Sequence, residues 1–346
     1  MKSDKQDIRK LTKEELRDFF VQQGDKAFRG NQVYEWLWQK GAHDFIDMTN
    51  ISKSTRILLD QHFVINHIRV DDMQRSSDGT IKNAVKLHDG LVVESVLIPT
   101  ASRTTACVSS QVGCSLNCKF CATARLKRMR NLNPDEIVDQ VVVIDRQSKL
   151  YHERPLSNIV FMGMGEPLMN YNNVLKAIDK ITDPEGLGMS PKRITVSTSG
   201  VPKIIKKMAD EQVKFNLAVS LHSALDDVRT EIMPFNEQMP LSELKEALVY
   251  WYDKTGKRIT YEYVVWDGIN DRHIDIMALL DFCKAVPSKV NLIEYNPIDD
   301  GQFQQADPEA IDRYVSILEK NGVTVTVRRS RGKDIDAACG QLANKK

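Results

Sequence analysis

Apolar positions near the amino terminus recur at the spacing typical of an amphipathic helix. In the segment LTKEELRDFFVQQG, Leu16, Phe19 and Phe20 fall on one face of such a helix. Thr12 precedes the pattern and Glu15 lies three residues after it, a spacing that predicts a capping box at the start of the helix.

The same spacing recurs further along the amino-terminal part of the chain. Val33, Trp36 and Leu37 share a face in NQVYEWLWQKG, and a third helix is expected around residues 52–63. We therefore predict a small helical domain over residues 1–65.

A shorter, alternating pattern follows the helical part. Two Asp-Gly pairs, at residues 78–79 and 89–90, separate short runs in which apolar and polar residues alternate. Asp-Gly between alternating runs is typical of tight hairpin turns. We predict a short antiparallel β linker over residues 66–99.

From residue 100 the pattern changes to short apolar runs that alternate with amphipathic segments of helical length. The apolar runs are TTACVSS, NIVFMGMG, RITVSTSG, FNLAVSLH, RITYEYVVW, VNLIEYNP and VTVTVRR. The helical segments lie near residues 134–148, 171–183, 202–211, 241–255, 273–285 and 308–320. Ser242 is expected to cap the fourth of these helices.

Alternating strands and helices predict an α/β fold with a parallel sheet. Six or seven such units indicate a complete or partial barrel, although a flat doubly wound sheet also fits the periodicity. Polar or glycine-rich residues directly follow several predicted strands, and active sites of barrels lie at the carboxyl ends of the strands. We therefore favour a partial (β/α)6-type barrel over residues 100–335, followed by a tail over residues 336–346.

Composition narrows the possible function classes. The 346 residues are 42% apolar and 27% charged, and the formal net charge is only +1, so a nucleic-acid partner would need a local basic patch. The charged start lacks the apolar stretch of a signal peptide, and no run approaches the length of a membrane span. We expect a reducing cytosolic compartment, in which clustered cysteines bind metal or react more often than they form disulfides.

Three of the six cysteines lie within eight residues, as Cys114-x3-Cys118-x2-Cys121. A structural zinc site normally takes four protein ligands, so three thiols leave one coordination position open for chemistry. Thiolates on a tight loop also hold iron–sulfur clusters. A structural zinc site completed by Cys107 or His222 is the alternative.

With Phe120 before its last cysteine, this spacing resembles the signature of radical S-adenosylmethionine enzymes. The resemblance implies a 4Fe–4S cluster on the three cysteines and S-adenosylmethionine on the remaining iron, where electron transfer gives a 5′-deoxyadenosyl radical. The segment GMGEP resembles the family's contact with the cofactor's amino group, a role that falls to Gly165 and Glu166. The resemblance implies further cofactor contacts at the strand ends, from Ser197, Ser220, Leu221, His222 and Asn296.

A series of motifs narrows this resemblance over nearly the whole chain. The motifs occur in the order FRGNQVYEWLW, ESVLIP, CVSSQVGCSLNCKFCATA, RNL, GMGEPLMNY, STSG, SLH and AACGQL. They resemble the RlmN-type methyltransferases, which methylate C2 of adenosine in 23S ribosomal RNA and at position 37 of tRNA. The close cousins of the Cfr type, which methylate C8 of the same ribosomal adenosine, are one alternative. A radical enzyme with a substrate other than RNA and a zinc-stabilised RNA-binding protein are two more.

The resemblance also implies roles for three further residues. Cys339 would carry a methyl group taken from one cofactor molecule. A second cofactor molecule would yield the radical that removes a hydrogen from this methyl group, and the resulting carbon radical would add to adenine. Cys107 would release the resulting protein–RNA adduct by forming a disulfide with Cys339, and Glu94 would accept a proton from the adduct. The resemblance implies an electron donor such as flavodoxin or ferredoxin, and we expect a monomer.

RNA binding would depend on local charge. Basic residues cluster over residues 125–130 and 328–333, near the predicted mouth of the barrel. Phosphates would lie against these runs, and the target base would be extruded into the pocket. The amino-terminal helical domain, with Trp36 and Trp38, is a further candidate for contact with folded RNA.

Overall fold

One sheet of ten strands forms the centre of the protein. The computed structural model describes residues 5–298 and 302–344. Residues 1–4 of the predicted helical domain and residues 345–346 of the predicted tail therefore lie outside the described residues. The described chain has fourteen strands: β1 (Gln6–Asp7), β2 (Phe63–Val64), β3 (Arg69–Arg75), β4 (Ile81–Lys86), β5 (Val92–Pro99), β6 (Thr104–Cys107), β7 (Gln111–Val112), β8 (Arg130–Asn131), β9 (Asn158–Phe161), β10 (Ile194–Thr198), β11 (Asn216–Ser220), β12 (Ile259–Val264), β13 (Ser288–Ile293) and β14 (Thr324–Arg328). Strands β1 and β2 pair with each other, as do β7 and β8, and the other ten form the central sheet.

Helices precede the sheet in the chain and then alternate with its parallel strands. They are α1 (Lys13–Gln22), α2 (Phe28–Trp38), α3 (Lys53–His62), α4 (Pro134–His152), α5 (Tyr171–Thr182), α6 (Pro202–Asp210), α7 (Asp226–Ile232), α8 (Leu241–Thr255), α9 (His273–Cys283) and α10 (Pro308–Lys320). The three amino-terminal helices and the six predicted between strands are confirmed. So is the capping box, because the Thr12 and Glu15 side chains each accept from the other's backbone N–H.

The order of the strands identifies the sheet as a partial barrel. Its strands run β14-β13-β12-β11-β10-β9-β6-β5-β4-β3. From β6 to β14, neighbours are parallel and follow one another in chain order. A doubly wound sheet reverses its order at a switch point, so the flat alternative is wrong. In the described chain β3 and β14 are the two free edges of the sheet, which leaves the barrel open as predicted.

The two predicted hairpins are confirmed, but they are continuous with the core sheet. Strands β3, β4 and β5 pair antiparallel across turns that contain Gly79 and Gly90, both with positive φ. Strand β5 then pairs antiparallel with β6, the first strand of the parallel part. The segment expected to be a linker therefore extends the sheet.

Two local features differ from the sequence-based expectations. Helix α8 begins at Leu241 with Pro240 as its cap, so Ser242 lies inside the helix. The reason is tertiary, because the Asp226 carboxylate accepts the Leu241 N–H (3.0 Å). Asp226 itself begins α7, a short helix that the apolar periodicity does not indicate.

A buried ion cluster joins the amino-terminal helices to the barrel. The Arg9 guanidinium donates to Asp139 (2.7 Å) and to Asp135 (3.1 Å), both on α4. Asp7 lies 4.0 Å from the same guanidinium. All four side chains are largely withdrawn from solvent, which strengthens the attraction between the guanidinium and the three carboxylates. Within the described part of the chain, no helix is long and apolar enough to cross a membrane.

We expect Arg9→Met to lower the free energy of unfolding by about 3 to 5 kcal/mol, because it leaves the three buried carboxylates of Asp7, Asp135 and Asp139 without their cation. The matched control is Lys13→Met, which removes a surface ion pair with Glu185 and should cost about 1 kcal/mol or less. Urea denaturation of both variants measures the difference. Equal losses would contradict the role given to the buried cluster.

Candidate active site

Ten of the thirteen predicted site residues line one cavity at the carboxyl ends of the parallel strands. Each of the seven strands from β6 to β14 of the parallel part contributes to its wall. The predicted residues found there are Cys107, Cys114, Cys118, Cys121, Gly165, Glu166, Ser197, Ser220, His222 and Cys339. Glu94, Leu221 and Asn296 are not among the residues that line it.

The three clustered cysteines lie on the loop that follows β7. This loop folds back on itself, with the Cys121 N–H donating to the Cys118 carbonyl (3.2 Å). Gly113 enters the loop with φ 72°, and a Cβ there would lie 2.4 Å from the Lys127 carbonyl oxygen. A glycine is therefore required where the loop begins.

The chemistry of this loop fits a cluster better than a single ion. Burial raises the pKa of the Cys114 thiol to about 11 and that of the Cys118 thiol well above its ordinary range. Metal binding must displace these protons. Among the described residues, no three His, Cys, Asp or Glu side chains are grouped around the position of a single metal ion. A cubane cluster accommodates the three thiolates because they bind separate irons.

Gly163 and Gly165 are required by packing against β7 and the residues before it. A Cβ on Gly163 would lie 2.7 Å from the Ser109 Oγ, and one on Gly165 would lie 2.4 Å from the Gln111 Cβ. Gly165 also has φ 93°, which side chains rarely adopt. The glycines thus allow two chain segments to meet at the cavity wall.

Glu166 is a buried carboxylate at the edge of this wall. It accepts the N–H of Leu168 (2.9 Å) and the N–H of Ser199 (2.8 Å). Burial raises the pKa of Glu166, although these N–H donors act in the opposite direction. An ammonium group bound in the cavity would restore the charged carboxylate by pairing with it.

The ends of β10 and β11 bring two predicted serines together. The Ser197 and Ser220 hydroxyls lie 3.5 Å apart, and both line the cavity. The next residue, Leu221, lies in the wall instead. Its side chain is fully buried, and its carbonyl accepts from the guanidinium of Arg229 (3.1 Å).

His222 has a defined hydrogen-bonded state. Its Nδ1 accepts the Val264 N–H (3.1 Å), which leaves the ring proton on Nε2 when the imidazole is neutral. Burial lowers the pKa of His222 to about 3, and the positive charge of Arg229 acts in the same direction. The ring packs edge-on against Phe120 of the cysteine loop, with centroids 4.8 Å apart. His222 is therefore a neutral donor at neutral pH.

The carboxyl-terminal tail crosses the open mouth of the barrel and carries Cys339 into the cavity. The Gly340 carbonyl accepts the Ala122 N–H (2.8 Å), and the Leu342 carbonyl accepts the Thr123 hydroxyl (2.6 Å). Both donors directly follow Cys121 in the chain. The tail is thus bonded to the end of the cysteine loop.

Cys107 and Cys339 are free thiols that line the same cavity. Burial raises the pKa of Cys107 to about 12, and Cys339 acts in the same direction. Cys339 lines the cavity and is exposed, and the desolvation of its thiol by the surrounding protein raises its pKa to about 11. Arg328 lowers the pKa of both thiols.

Sequence reasoning missed the ion pair that faces these thiols. Glu262 and Arg328 both line the cavity and form a salt bridge of 3.1 Å, and the Asn291 amide donates to Glu262 (2.8 Å). A usable signal was present, because Glu262 is the one acidic residue inside the predicted strand run RITYEYVVW.

Glu94 and Asn296 contact the tail instead of lining the cavity. The Glu94 carboxylate accepts the Ala343 N–H (2.8 Å) and lies 3.7 Å from the Lys82 ammonium group. The Asn296 amide donates to the Cys339 carbonyl (3.3 Å), while its own buried oxygen accepts no hydrogen bond from any residue that the structure describes. That oxygen remains available to a donor from a bound molecule.

Two protein families match separate parts of the chain. The ribosomal RNA large subunit methyltransferase N-terminal domain matches residues 6–65, and the radical SAM superfamily matches residues 108–280. The first covers the amino-terminal helices, and the second covers the cysteine loop and most of the parallel strands.

Full-length relatives extend this similarity over the whole chain. A protein of Christiangramia forsetii named probable dual-specificity RNA methyltransferase RlmN is 76% identical, with 100% of this chain and 98% of that protein covered. A protein of the same name from Cytophaga hutchinsonii is 55% identical, with 98% and 93% covered. The crystal structure of a radical SAM methyltransferase from Sphaerobacter thermophilus matches with a TM-score of 0.93 at 38% identity, over 98% of this chain and 100% of that one.

We expect Gly165→Ala to lower the free energy of unfolding by about 2 to 4 kcal/mol, since it adds a collision with Gln111 to an unfavourable φ. Gly90→Ala is the matched control, because Gly90 has φ 88° and no atom within 4 Å of an added Cβ. It should cost about 1 to 2 kcal/mol. Thermal or urea unfolding distinguishes the two, and equal losses would contradict the packing argument.

Proposed function

Because the chain belongs to the RlmN-type family of radical S-adenosylmethionine RNA methyltransferases, we propose that it methylates C2 of adenosine in 23S ribosomal RNA and in tRNA. The reaction would pass through S-methylated Cys339 and a protein–RNA adduct. One observation carries the proposal: Cys107 and Cys339 line the same cavity as the three loop cysteines.

The residues around the cavity fit the two cofactors that the superfamily implies. When bound, a 4Fe–4S cluster and S-adenosylmethionine supply an electron, a carbon radical and the methyl group. Cys114, Cys118 and Cys121 would hold the cluster. Glu166 and the neutral His222 would contact S-adenosylmethionine, together with the hydroxyls of Ser197 and Ser220 and the side-chain oxygen of Asn296.

Cys339 would accept a methyl group by ordinary displacement and present it to the base. Displacement requires the thiolate, and the desolvation of the Cys339 thiol opposes its formation. Arg328 favours the thiolate, because its guanidinium carries a positive charge on the same cavity wall. Asn296 and the end of the cysteine loop hold the flanking backbone, so the sulfur stays in the cavity.

Cys107 would resolve the adduct between Cys339 and adenine. Its thiolate would attack the Cys339 sulfur, so that a sulfur–sulfur bond forms as the sulfur–carbon bond to the base breaks. The pairing is supported by the position of both thiols on the lining of one cavity, where burial and then Cys339 raise the pKa of Cys107. An external one-electron donor such as flavodoxin or ferredoxin would supply the reducing equivalents.

Glu94 would serve as proton acceptor only after a change at the tail. Its carboxylate now accepts the Ala343 N–H and lies beside Lys82. Burial raises the pKa of Glu94, while Lys82 acts in the opposite direction. A carboxylate with a raised pKa accepts a proton readily, so release of Ala343 would turn a structural contact into a base.

The basic residues near the mouth differ in whether they form ion pairs within the chain. Arg130, Arg331 and Lys333 form ion pairs with Glu136, Asp78 and Glu294. Arg329, in contrast, lines the cavity and forms no hydrogen bond or salt bridge to any described residue, although it joins Lys333 in lowering the pKa of Glu294. We propose that Arg329 contacts an RNA phosphate beside the extruded adenine.

We expect 2-methyladenosine as the product. RNA nucleosides from a strain that lacks this protein, before and after incubation with the reconstituted enzyme, can be separated against both methyladenosine standards. Mainly 8-methyladenosine would favour the Cfr-type alternative. No methylated adenosine in either RNA, from an enzyme that still cleaves S-adenosylmethionine, would favour a substrate other than RNA.

We expect Cys107→Ala to accumulate protein joined covalently to RNA, because no second thiolate can attack the carrier sulfur. The adduct is visible as a nuclease-sensitive shift on a denaturing gel. Adding Cys339→Ala should abolish it. Cys283→Ala is the matched control, since Cys283 is buried on α9 and does not line the cavity. Normal turnover by Cys107→Ala, or an adduct in the double variant, would contradict the two-cysteine mechanism.

We expect Arg329→Gln to weaken RNA binding at low salt and to reduce the slope of log affinity against log salt concentration by about 1. The control is Lys333→Gln, because Lys333 already pairs with Glu294 (2.5 Å). It should change the slope less. Binding titrations at several salt concentrations measure both, and an unchanged slope for Arg329→Gln would contradict the phosphate contact.

A further inference from the structure

A buried arginine lies behind the cavity wall, next to the cysteine loop. Arg229, on α7, is 0% exposed. Its guanidinium donates to the carbonyl oxygens of Leu221 (3.1 Å) and Ser199 (2.5 Å) and to the side-chain oxygen of Asn236 (2.5 Å). All three acceptors are neutral groups, and the other contact of the guanidinium is with the ring of Phe235, whose centroid lies 5.3 Å away. The hydrogen bonds are therefore satisfied without a directly paired carboxylate.

No carboxylate neutralises this cation directly. Within the described residues, no Asp or Glu oxygen forms a salt bridge with Arg229. The nearest acid on its helix, Asp226, accepts from the Asn236 amide (2.8 Å) and the Leu241 N–H (3.0 Å). A buried charge without a direct partner is costly. A negative charge supplied from outside the chain would offset that cost.

The contacts of α7 identify the place where that negative charge would lie. The last residue of the helix, Ile232, accepts the Lys119 N–H with its carbonyl (3.0 Å). The side chains of Cys118 and Phe120 pack against the apolar cluster that contains Ile232. Arg229 also acts on the charge of Cys118, since it lowers the pKa of that thiol against the larger effect of burial.

Arg229 acts through the cavity wall and does not enter the cavity. The backbone of Ser199 separates it from Glu166, because the Ser199 N–H donates to Glu166 (2.8 Å) while the Ser199 carbonyl accepts from Arg229. Arg229 does not line the cavity itself. Its influence on a bound group is therefore electrostatic, exerted from a fixed position.

We propose that Arg229 is the fixed counter-charge of the cluster on Cys114, Cys118 and Cys121, and that it favours the reduced state of this cluster. The inference rests on the cluster of the proposed function. An oxidised cubane with three thiolates carries one net negative charge, and one electron from the external donor raises this to two. A nearby positive charge therefore stabilises the reduced state more than the oxidised state.

The test is a redox titration of the reconstituted protein, followed by electron paramagnetic resonance, with iron and sulfide measured in the same samples. Arg229→Gln removes the charge and keeps an amide. At the wild-type midpoint, its ratio of reduced to oxidised cluster should fall roughly tenfold, which corresponds to about 59 mV for one electron. Arg229→Lys should stay within about threefold of the wild type, because it keeps the charge.

Arg272→Gln is the matched control. Arg272 pairs with Asp275 at the start of α9, so its loss should leave the ratio unchanged. If Arg229→Gln holds no iron while Arg229→Lys does, the charge is needed to retain the cluster, which also supports the inference. An unchanged ratio in Arg229→Gln, or loss of iron in both variants, would overturn it. Wild-type protein without iron and sulfide would instead overturn the proposed function.

Discussion

Docking of the carboxyl-terminal tail is the interaction on which the candidate site depends. Hydrogen bonds from Ala122 and Thr123, just after the last loop cysteine, hold the tail across the mouth of the open barrel. Further hydrogen bonds from Asn296 to the Cys339 carbonyl and from the Ala343 N–H to Glu94 anchor the same tail. Together these bonds place Cys339 on the lining of the cavity that the three loop cysteines share.

Charged side chains act on different parts of the molecule. Arg9 lies between the carboxylates of α4 and joins the amino-terminal helices to the barrel. Arg328 and Glu262 face the two reactive thiols, with opposite effects on the pKa of Cys339. Arg229 has only neutral hydrogen-bond partners. Pairing within the chain therefore serves stability, and incomplete pairing occurs beside the cavity.

The structure gives some motif residues a second, structural role. Gly165 lies in a segment that resembles a cofactor contact, yet a Cβ at this position would already collide with Gln111. Glu94 belongs to a motif that implies a base, yet its carboxylate binds the tail through Ala343. Such residues carry packing and chemistry together, so the loss of activity in a variant does not by itself identify the chemistry. Stability must be measured beside it.

The sequence by itself determined the features that depend on near neighbours in the chain. Apolar periodicity and Asp-Gly turns located the helices and strands, and the spacing of Cys114, Cys118 and Cys121 indicated a metal cluster. The tertiary structure alone decided the burial of Arg229 on an unpredicted helix and the contact of Glu94 with Ala343. It also decided that Cys107 and Cys339 line one cavity. Periodicity reports on residues a few positions apart, whereas these contacts join distant segments whose proximity depends on how the sheet curves and where the tail docks.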